Sequence, residues 1–431
     1  MGKFLLNLGF RWSGLPSQLF DGYVFNPSGL NREQASRREF EYIQGQWVMF
    51  DPQMYLSVLD GITCAKTCAN LATYPWFGIE TPLFDSSEMK VSEWMSQVKD
   101  SVPWNPNIAK SDDDIIRVVR ECLQFQYDFG VTHLIAPTPL LDNSDDQFGI
   151  QLKWLHAAAQ IKDEFQLPMF ATVAVMDYLL STDEPSKNPM LQTILDNIAV
   201  SDFEGVYLLV VQEDNPRIRI TDKHIVESLL FATRILGKHS AKDVLVNFAD
   251  DFGHSCVAAG ASGFVGGVTS KSRRLCLSDF TDRFGGAAYP KFYSHSLIGD
   301  LTIDDLRKIR DARLLRLIET DVTPASESLL RALQAGSDPN AVPAWRQTRN
   351  NVKEANVHRV LLMHRSKEAF DKLSAGERVK ATLVWLQEAE AHVKLMESRF
   401  DTSPLSEDWK HVEVWRLAFE SFLDLVEKGE I

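Results

Sequence analysis

Short apolar runs alternate with longer amphipathic stretches between residues 54 and 268. The runs are nearly continuous in apolar side chains, which is typical of strands buried on both faces of a parallel sheet. The stretches between them repeat apolar residues at helical spacing, and one ends at Gly130, a residue suited to a helix C-terminus. This alternation predicts strands that begin near Met54, Trp76, Thr132, Met169, Gly205, Val244 and Gly263.

An eighth strand would close this sheet into a barrel. Three runs could supply it: FLLNLGF (4–10), WVMF (47–50) and KFYSHSLI (291–298). A doubly wound open sheet is the alternative, but it would carry a glycine-rich phosphate turn after its first strand, and the sequence has none there. We therefore predict an α/β fold, a (β/α)8 TIM-type barrel over residues 1–299, in which residues 1–50 form an irregular N-terminal part.

The pattern changes after about Gly299. Amphipathic helical stretches then dominate, among them 351–370, 375–397 and 409–427, and a break rich in Pro and Gly lies near residue 339. Residues 300–431 are therefore predicted to form a helical C-terminal region.

Composition narrows the class of protein. Of 431 residues, 45% are hydrophobic and 24% charged, which is ordinary for a globular protein, and no apolar run reaches the roughly 20 residues that span a bilayer. We expect a cytoplasmic protein without a membrane partner. The five cysteines form no C-x-x-C pair, so we predict no metal site and no cofactor. The net charge of −14 argues against nucleic-acid binding over the whole surface, but it leaves room for local basic loops.

The stretch VLVNFADDFGHSCVAAGASGFVGGVTSKSRR, residues 244–274, is the most informative. Two consecutive predicted strands here both end in polar clusters, as at the catalytic rim of a (β/α)8 barrel. Asp250 and Asp251 follow the first strand. The basic loop with Lys271, Arg273 and Arg274 follows the second, and loops after the last barrel strands often bind phosphate. An ordinary solvated loop is the alternative.

Carboxylates at strand ends are the candidate catalytic groups, because strand C-termini of a barrel share one pocket. Such acids can act as nucleophile, general base or stabiliser of a sugar cation. Helix capping is the alternative role for them. The leading candidates are Asp250, Asp251, Glu80 and Asp60, and the remaining strand-end acids are Asp177, Glu213 and Asp214.

Other rim side chains are candidates for binding. His254 could be an acid–base partner or a substrate ligand, or simply a solvated or capping histidine. Trp76 and Tyr178 could stack on a base, although most aromatic residues belong to the core. The segment 345–367 is the most basic part of the chain and is a second candidate nucleic-acid surface, with a solvated helix face as the alternative.

The order of segments from Trp76 to Arg274 resembles the tRNA-guanine transglycosylase superfamily. Residues 244–274 are similar to its final strand–helix–strand unit, THLIAPTPLL resembles a middle strand of its DNA-acting branch, and ETPLF (80–84) falls where the family has Asp-Ser-Gly-Gly-Phe. The chain departs from the family at Val265, where an aspartate is expected, and it lacks the zinc cluster.

The resemblance implies a barrel that cleaves a base–sugar bond with altered base recognition. The chain also resembles glycosylases of anti-phage defence, which remove glucosylated hydroxymethylcytosine from viral DNA. We therefore predict a DNA glycosylase that leaves an abasic site, with DNA containing modified bases as its partner and a flipped base in the rim pocket. The alternatives are a barrel lyase or isomerase acting on a small phosphorylated metabolite, and a non-catalytic binding barrel.

Overall fold

The structure is a computed structural model, and it describes residues 2–8, 15–36, 46–77, 111–142, 145–212, 219–282, 288–400, 404–406 and 409–431. Eight parallel strands follow the order β3-β2-β1-β8-β7-β6-β5-β4. The backbone N–H of Thr132, just before β4, donates to the carbonyl of Val48 on β3 at 2.8 Å, so the barrel is nearly closed. This confirms the predicted TIM-type α/β fold. The strands are β1 (Lys3–Leu8), β2 (Gly22–Phe25), β3 (Trp47–Phe50), β4 (Leu134–Ile135), β5 (Met169–Met176), β6 (Gly205–Gln212), β7 (Asp243–Val246) and β8 (Gly263–Gly266).

The first three strands lie in residues 1–50, which were predicted to be irregular. β1 pairs with β2 on one side and with β8 on the other, with Leu5 opposite both Gly22 and Val265. The runs FLLNLGF and WVMF therefore both contribute strands, together with GYVF, which the pattern did not predict. The third run, KFYSHSLI, contributes β10 (Phe292–Ser294) of an antiparallel hairpin with β11 (Gly299–Leu301), outside the barrel.

Two predicted strands are wrong. Residues from Met54 form a 3-10 helix, Met54–Val58, because Gln53 has a left-handed backbone (φ 51°) that turns the chain out of an extended path. Residues around Trp76 form a second 3-10 helix, Pro75–Phe77, where proline suits a helix start and supplies no N–H to a sheet ladder. The other five predicted strands match β4 to β8.

Helices alternate with the strands, and further helices make up most of the C-terminal region. The longest helix before β4 has Ser111 as its N-cap, which accepts from the backbone N–H of Asp114 at 3.2 Å, and it ends at Gly130 in the left-handed region. The helices of the barrel part are α1 (Arg32–Ser36), α2 (Ala65–Ala72), α3 (Asp112–Phe129), α4 (Asp145–Ile161), α5 (Pro189–Ala199), α6 (Lys223–Arg234), α7 (Gly253–Ala259) and α8 (Ser270–Arg273). A two-residue strand, β9 (Leu275–Cys276), pairs with the end of β6. The later helices are α9 (Ile303–Asp311), α10 (Glu327–Gln334), α11 (Lys353–Asp371), α12 (Ala375–Arg399) and α13 (Lys410–Glu427).

The C-terminal helices pack directly on the barrel. α13 lies against α6, α12 lies against α7, and α11 lies against β10. Polar contacts fix this arrangement: the indole N–H of Trp415 donates to the carbonyl of Ile220 at 2.9 Å, and Lys367 on α11 pairs with Asp21 before β2 at 3.0 Å. The predicted boundary between residues 299 and 300 stays a prediction. Among the helices of the described residues, none combines the length and apolar composition that crossing a bilayer requires.

Candidate active site

Five buried polar side chains meet inside the carboxyl end of the barrel. Asn7 lies near the end of β1, Asn26, Asp51 and Asn247 directly follow β2, β3 and β7, and Tyr207 lies on β6. Asn7 donates to the Oδ1 of Asn247 at 2.8 Å, and Asn247 donates to the hydroxyl of Tyr207. Tyr207 in turn donates to the Oδ2 of Asp51 at 3.0 Å. The five form one hydrogen-bonded chain across the barrel, since Asn26 also approaches the Oδ1 of Asn7 at 3.5 Å. We call it the mouth chain.

Asp51 is the carboxylic acid of the mouth chain. Its carboxyl is fully buried, and it accepts hydrogen bonds from the Tyr55 hydroxyl at 2.6 Å and from the Gln53 backbone at 2.9 Å as well as from Tyr207. Burial raises the pKa of Asp51 to about 6, and these hydrogen bonds only partly oppose the shift. The Asp51 carboxyl is therefore suited to both giving and taking a proton near neutral pH.

Asn26 leaves hydrogen-bonding capacity unused in the mouth chain. Its Oδ1 is buried and has no hydrogen-bond partner among the described residues. Most buried acceptors are satisfied, so a buried acceptor of this kind calls for an explanation. A ligand hydroxyl or amino group that donates to it would complete the mouth chain.

Six buried ions lie next to the mouth chain, and we call them the six-ion cluster. Three are carboxylates and three are guanidiniums, so the cluster is neutral overall. Asp250 and Asp251 follow β7, and Asp300 lies on β11. Arg219 lies between β6 and α6, Arg273 ends α8, and Arg359 lies on α11. Each of the six is less than a tenth exposed.

Arg359 joins all three carboxylates of the cluster. Its Nη2 lies 2.5 Å from Oδ1 of Asp250 and 2.9 Å from Oδ1 of Asp251, and its Nη1 lies 3.1 Å from Oδ1 of Asp300. The other two arginines complete the cluster: Arg219 contacts Asp251 at 2.7 Å, and Arg273 contacts Asp250 at 2.9 Å and Asp300 at 2.8 Å. The guanidinium of Arg359 also lies over the Tyr293 ring, 4.2 Å from its centre.

The arginines hold two of the cluster acids, Asp251 and Asp300, ionised. Burial alone would raise the pKa of Asp251, but the charges of Arg359, Arg219 and Arg273 outweigh burial and hold it well below its usual value. The pKa of Asp300 is lowered in the same way against its own burial. A carboxylate in this state is not a proton donor at neutral pH. Ion pairs of this kind fix geometry, because removing one partner leaves an uncompensated buried charge.

The turn that carries Asp250 is strained. Phe248 and Asp250 both have left-handed backbones, at φ 56° and 47°, although neither is glycine. The preceding residue, Asn247, accepts from the Phe248 backbone N–H at 2.7 Å as well as joining the mouth chain. The six-ion cluster therefore holds a strained turn whose first residue belongs to the mouth chain.

A small cavity lies between the mouth chain and the six-ion cluster. Its lining includes Gln212, Asn247, Asp250, Arg273 and, from α13, Trp415. The cavity volume is about 30 Å³, room for about two water molecules. A nucleobase is larger than this cavity, so binding a nucleobase here would require the residues that line the cavity to move.

Two predicted rim residues are placed differently. Asp60 follows a 3-10 helix, not a strand, and its exposed carboxylate accepts from the Ile62 backbone at 2.8 Å and from the Thr63 hydroxyl at 3.2 Å. The predicted strand-end position of Asp60 is wrong, and the residue closes a turn. Trp76 is 1% exposed and donates to the carbonyl of Pro52 at 3.0 Å. The indole of Trp76 therefore lies in the core of the described structure, and the stacking role stays a prediction that would need this ring to become exposed.

The predicted basic loop is mostly buried. Arg273 belongs to the six-ion cluster, and Arg274 is buried with its Nε 2.8 Å from Asp279. Carboxylates of the same chain pair with both guanidiniums, and the phosphate-binding role of these two residues stays a prediction. Lys271 is exposed, with its ammonium 5.6 Å from the centre of the Phe280 ring, and its phosphate-binding role stays a prediction.

His254 is enclosed by aromatic side chains. Its ring is 1% exposed and lies 5.1 Å from that of Phe264 and 5.3 Å from that of Phe370 on α11. Burial lowers the pKa of His254 to about 4, so the ring is neutral at physiological pH. The ring is enclosed by other side chains, and the predicted ligand role stays a prediction. The position of His254 among C-terminal side chains excludes the solvated alternative.

The remaining candidates keep their status as predictions. Tyr178 is 38% exposed in a 3-10 helix directly after β5, at the carboxyl end of the barrel. Glu80, together with Glu213 and Asp214, lies outside the described residues. Among the residues that are described, no group of three His, Cys, Asp or Glu side chains could hold a metal ion.

The side chains of the basic segment 345–367 do not all face the solvent. Trp345 is fully buried, Arg359 lies in the six-ion cluster, and Lys367 pairs with Asp21 and Asp371, both at 3.0 Å. The exposed cations of the segment are Arg346, Arg349, Lys353 and Arg365. The first three lie in its first part, whereas Arg365 lies near its end and donates to the carbonyls of Thr320 and Val322.

The sequence did contain a signal for Asp51. It directly follows the apolar run WVMF, as Asp250 follows the run that ends β7. Treating residues 1–50 as irregular hid this signal. No local pattern could reveal that Arg359 joins Asp251, because 108 positions separate them.

Comparisons with known proteins do not assign this chain to a family or an activity. No known protein family matches the chain, and no curated protein matches it. Among solved structures, the chain is similar to a dihydrodipicolinate synthase from Oceanobacillus iheyensis, at 12% sequence identity and a TM-score of 0.24, over 74% of this chain and 71% of that chain. A likeness this weak says nothing about activity, and the resemblance to tRNA-guanine transglycosylases stays a prediction.

Proposed function

We propose that the barrel hydrolyses the N-glycosidic bond of a modified base in DNA, and that Asp51 is the residue that moves protons in this reaction. The observation that carries the proposal is the buried carboxyl of Asp51 directly after β3, which has its pKa raised to about 6 and is joined through Tyr207 to the buried amides of the mouth chain. Buried titratable groups with shifted pKa values inside a barrel mouth are typical of catalytic sites.

The chemistry needs one group that exchanges protons. The bond between C1′ and the base nitrogen breaks, and its electron pair leaves with the base, which takes up a proton. A water oxygen bonds to C1′ and loses a proton. Asp51 is fully buried and does not line the cavity, so the step includes a rearrangement of the barrel mouth that brings the base and a water molecule to its carboxyl. A protonated Asp51 would then supply the proton to the base, and the ionised form would accept the proton from water. Tyr55 and Tyr207 orient the carboxyl for both steps.

The amides of the mouth chain fit the recognition of a sugar or base edge. Asn7, Asn26 and Asn247 together offer both donors and acceptors, and the Oδ1 of Asn26 has no partner among the described residues. A glucosylated base presents several hydroxyls, and each can donate to such an oxygen. DNA with glucosylated hydroxymethylcytosine is therefore the substrate to test first.

The test compares Asp51→Asn with Asp60→Asn on phage DNA with and without the glucosylated base, and counts abasic sites. Asp60 is the matched control, because it is an exposed aspartate that only closes a turn. We expect the Asp51 variant to lose at least about a hundredfold in rate, the usual contribution of a general acid or base, and the Asp60 variant to keep wild-type activity.

A melting temperature of Asp51→Asn at or above that of the wild-type protein would establish that the loss is chemical and not a loss of folding. Full base release by Asp51→Asn would disprove the role of Asp51. If the wild-type protein releases no base but sugar phosphates raise its melting temperature, a metabolite lyase or isomerase replaces the proposed glycosylase.

A further inference from the structure

Two surface segments, 288–291 and 346–353, meet at the N-terminal end of α11. The backbone N–H of Asn350 donates to the carbonyl of Ala288 at 2.7 Å, which joins the segments directly. Buried Trp345 anchors the second segment: its indole donates to the carbonyl of Ala325 at 3.1 Å and lies 6.1 Å from the ring of Phe292. The segments therefore form one supported surface.

This surface is basic on a strongly acidic protein. It exposes four cations and one aromatic ring, and Tyr289 is 47% exposed. The chain as a whole has a net charge of −14. We call this set the basic patch: Tyr289, Lys291, Arg346, Arg349 and Lys353.

The four cations of the basic patch are clustered and unpaired in the part of the chain that the structure describes, whereas several other exposed arginines are neutralised by acids of this chain. Arg313, Arg316 and Arg365, unpaired among the same residues, lie elsewhere in the sequence. Arg117, Arg120 and Arg331 each pair with a glutamate of this chain. None of the four patch cations forms an ion pair with any residue that the structure describes. Glu354, in the first turn of α11, is a partly buried acid beside them. Unneutralised positive charge of this kind attracts polyanions.

The basic patch lies close to the barrel mouth. Lys353 begins α11, and Arg359, six residues later on the same helix, belongs to the six-ion cluster. Six residues of helix span about 9 Å. This corresponds to the rise of about three base pairs along a duplex, at about 3.4 Å each.

We propose that the basic patch binds the phosphate backbone of duplex DNA and holds the duplex beside the barrel mouth. The inference deepens the proposed function and rests on it for the identity of the nucleic acid. Lysine and arginine contacts to phosphate position a protein on DNA without reading its sequence. The hydroxyl and ring of Tyr289 fit the sugar–phosphate edge in the same way.

The experiment measures binding of a short unmodified duplex, so that no base release is needed. It compares the wild-type protein with Arg346→Glu/Arg349→Glu between about 50 and 200 mM salt. The matched control is Lys238→Glu/Lys380→Glu, which reverses two exposed cations on other surfaces and changes the net charge equally. Lys238 lies between α6 and β7, at the opposite end of the barrel from the mouth.

We expect the patch variant to bind at least about tenfold more weakly at the lower salt, because each phosphate contact adds to affinity through counterion release. The slope of log affinity against log salt should fall by about 2, from two lost contacts of about 0.9 each. The control should keep the wild-type slope.

Three results would overturn the inference: no duplex binding by the wild-type protein, an unchanged slope in the patch variant, or an equal loss in the control. A failure of the proposed function can be distinguished from a failure of the basic-patch inference. If the wild-type protein binds DNA through the patch but releases no modified base, the basic patch stands and the glycosylase proposal falls.

Discussion

Arg359 on α11 and Asp251 after β7 form a buried ion pair, with 2.9 Å between Nη2 and Oδ1, across 108 residues of sequence. The pair belongs to a cluster that also contains a hairpin carboxylate and two barrel arginines. A contact between the C-terminal helices and the barrel mouth is therefore ionic and fully enclosed. The structure of the barrel mouth therefore depends on the helical C-terminal region.

Arg359→Met should destabilise the protein by about 3–5 kcal/mol, because the substitution leaves an excess negative charge buried among the three carboxylates. Urea unfolding measures the change. Arg331→Met is the control: its guanidinium pairs with Glu327 on the surface, where 74% of the arginine side chain is exposed, so the expected loss is below about 1 kcal/mol.

Adding Asp300→Asn to Arg359→Met should recover part of the stability, because it restores the balance of charge in the cluster. The double variant should then be less destabilised than the sum of the two single variants by about 0.5–3 kcal/mol. Strict additivity would mean that the two residues do not interact.

Asp51→Asn should change how stability depends on pH. The pKa of Asp51 is raised to about 6 in the fold, so the folded protein takes up a proton before the unfolded chain does as the pH falls. The destabilising effect of the buried charge is present above about pH 6 and is lost as the pH falls toward 4. The free energy of unfolding of the variant, relative to wild type, should therefore drop by about 2 kcal/mol between about pH 7.5 and 4.5. A constant difference over this range would show that Asp51 does not titrate there.

His254→Leu should make the protein less sensitive to mild acid. Burial lowers the pKa of His254 to about 4, so below about pH 6.5 the unfolded chain binds a proton that the folded protein does not. The stability contributed by the neutral ring is present above pH 6.5 and is lost as the pH falls toward 4. Wild type should lose about 2–3 kcal/mol more than the variant between about pH 7 and 4.5, measured by urea unfolding.

Exposed His239 provides the control for this experiment. His239→Leu should follow the wild-type profile, since its ring meets water in both states. If His254→Leu and the wild-type protein lost stability in parallel, another group would have to account for the sensitivity of the fold to acid.

The apolar runs predicted the barrel because strands buried on both faces have a distinctive sequence. Five of the eight strands, β4 to β8, follow from this pattern alone. At Met54 and Trp76 the runs are buried in 3-10 helices instead, and apolar content cannot distinguish a buried strand from a buried single turn. The left-handed backbone of Gln53, which ends β3, leaves no mark in composition.

The sequence pattern predicted where the strand-end carboxylates of the candidate site lie, but it did not predict that arginines pair with them. Asp250 and Asp251 do lie at the carboxyl end of β7, as the pattern indicates. Their state depends on Arg219 and Arg359, which are remote in sequence, and a sequence pattern carries no information about that pairing. Asp51 is a different case. The sequence shows that it directly follows an apolar run, but its selection as a candidate catalytic group depends on its burial in the folded barrel.

The six-ion cluster also bears on the order in which the protein is made. The ribosome delivers Asp250, Asp251, Arg219 and Arg273 before Asp300 and Arg359. The first four are electrically balanced, but once Asp300 has been made the cluster carries one excess negative charge until Arg359 follows. Its acids must stay hydrated until α11 has emerged, because Arg359 on α11 contacts all three. Completion of the barrel mouth is therefore a late step of synthesis, and a chain stopped before residue 359 would leave it open to water.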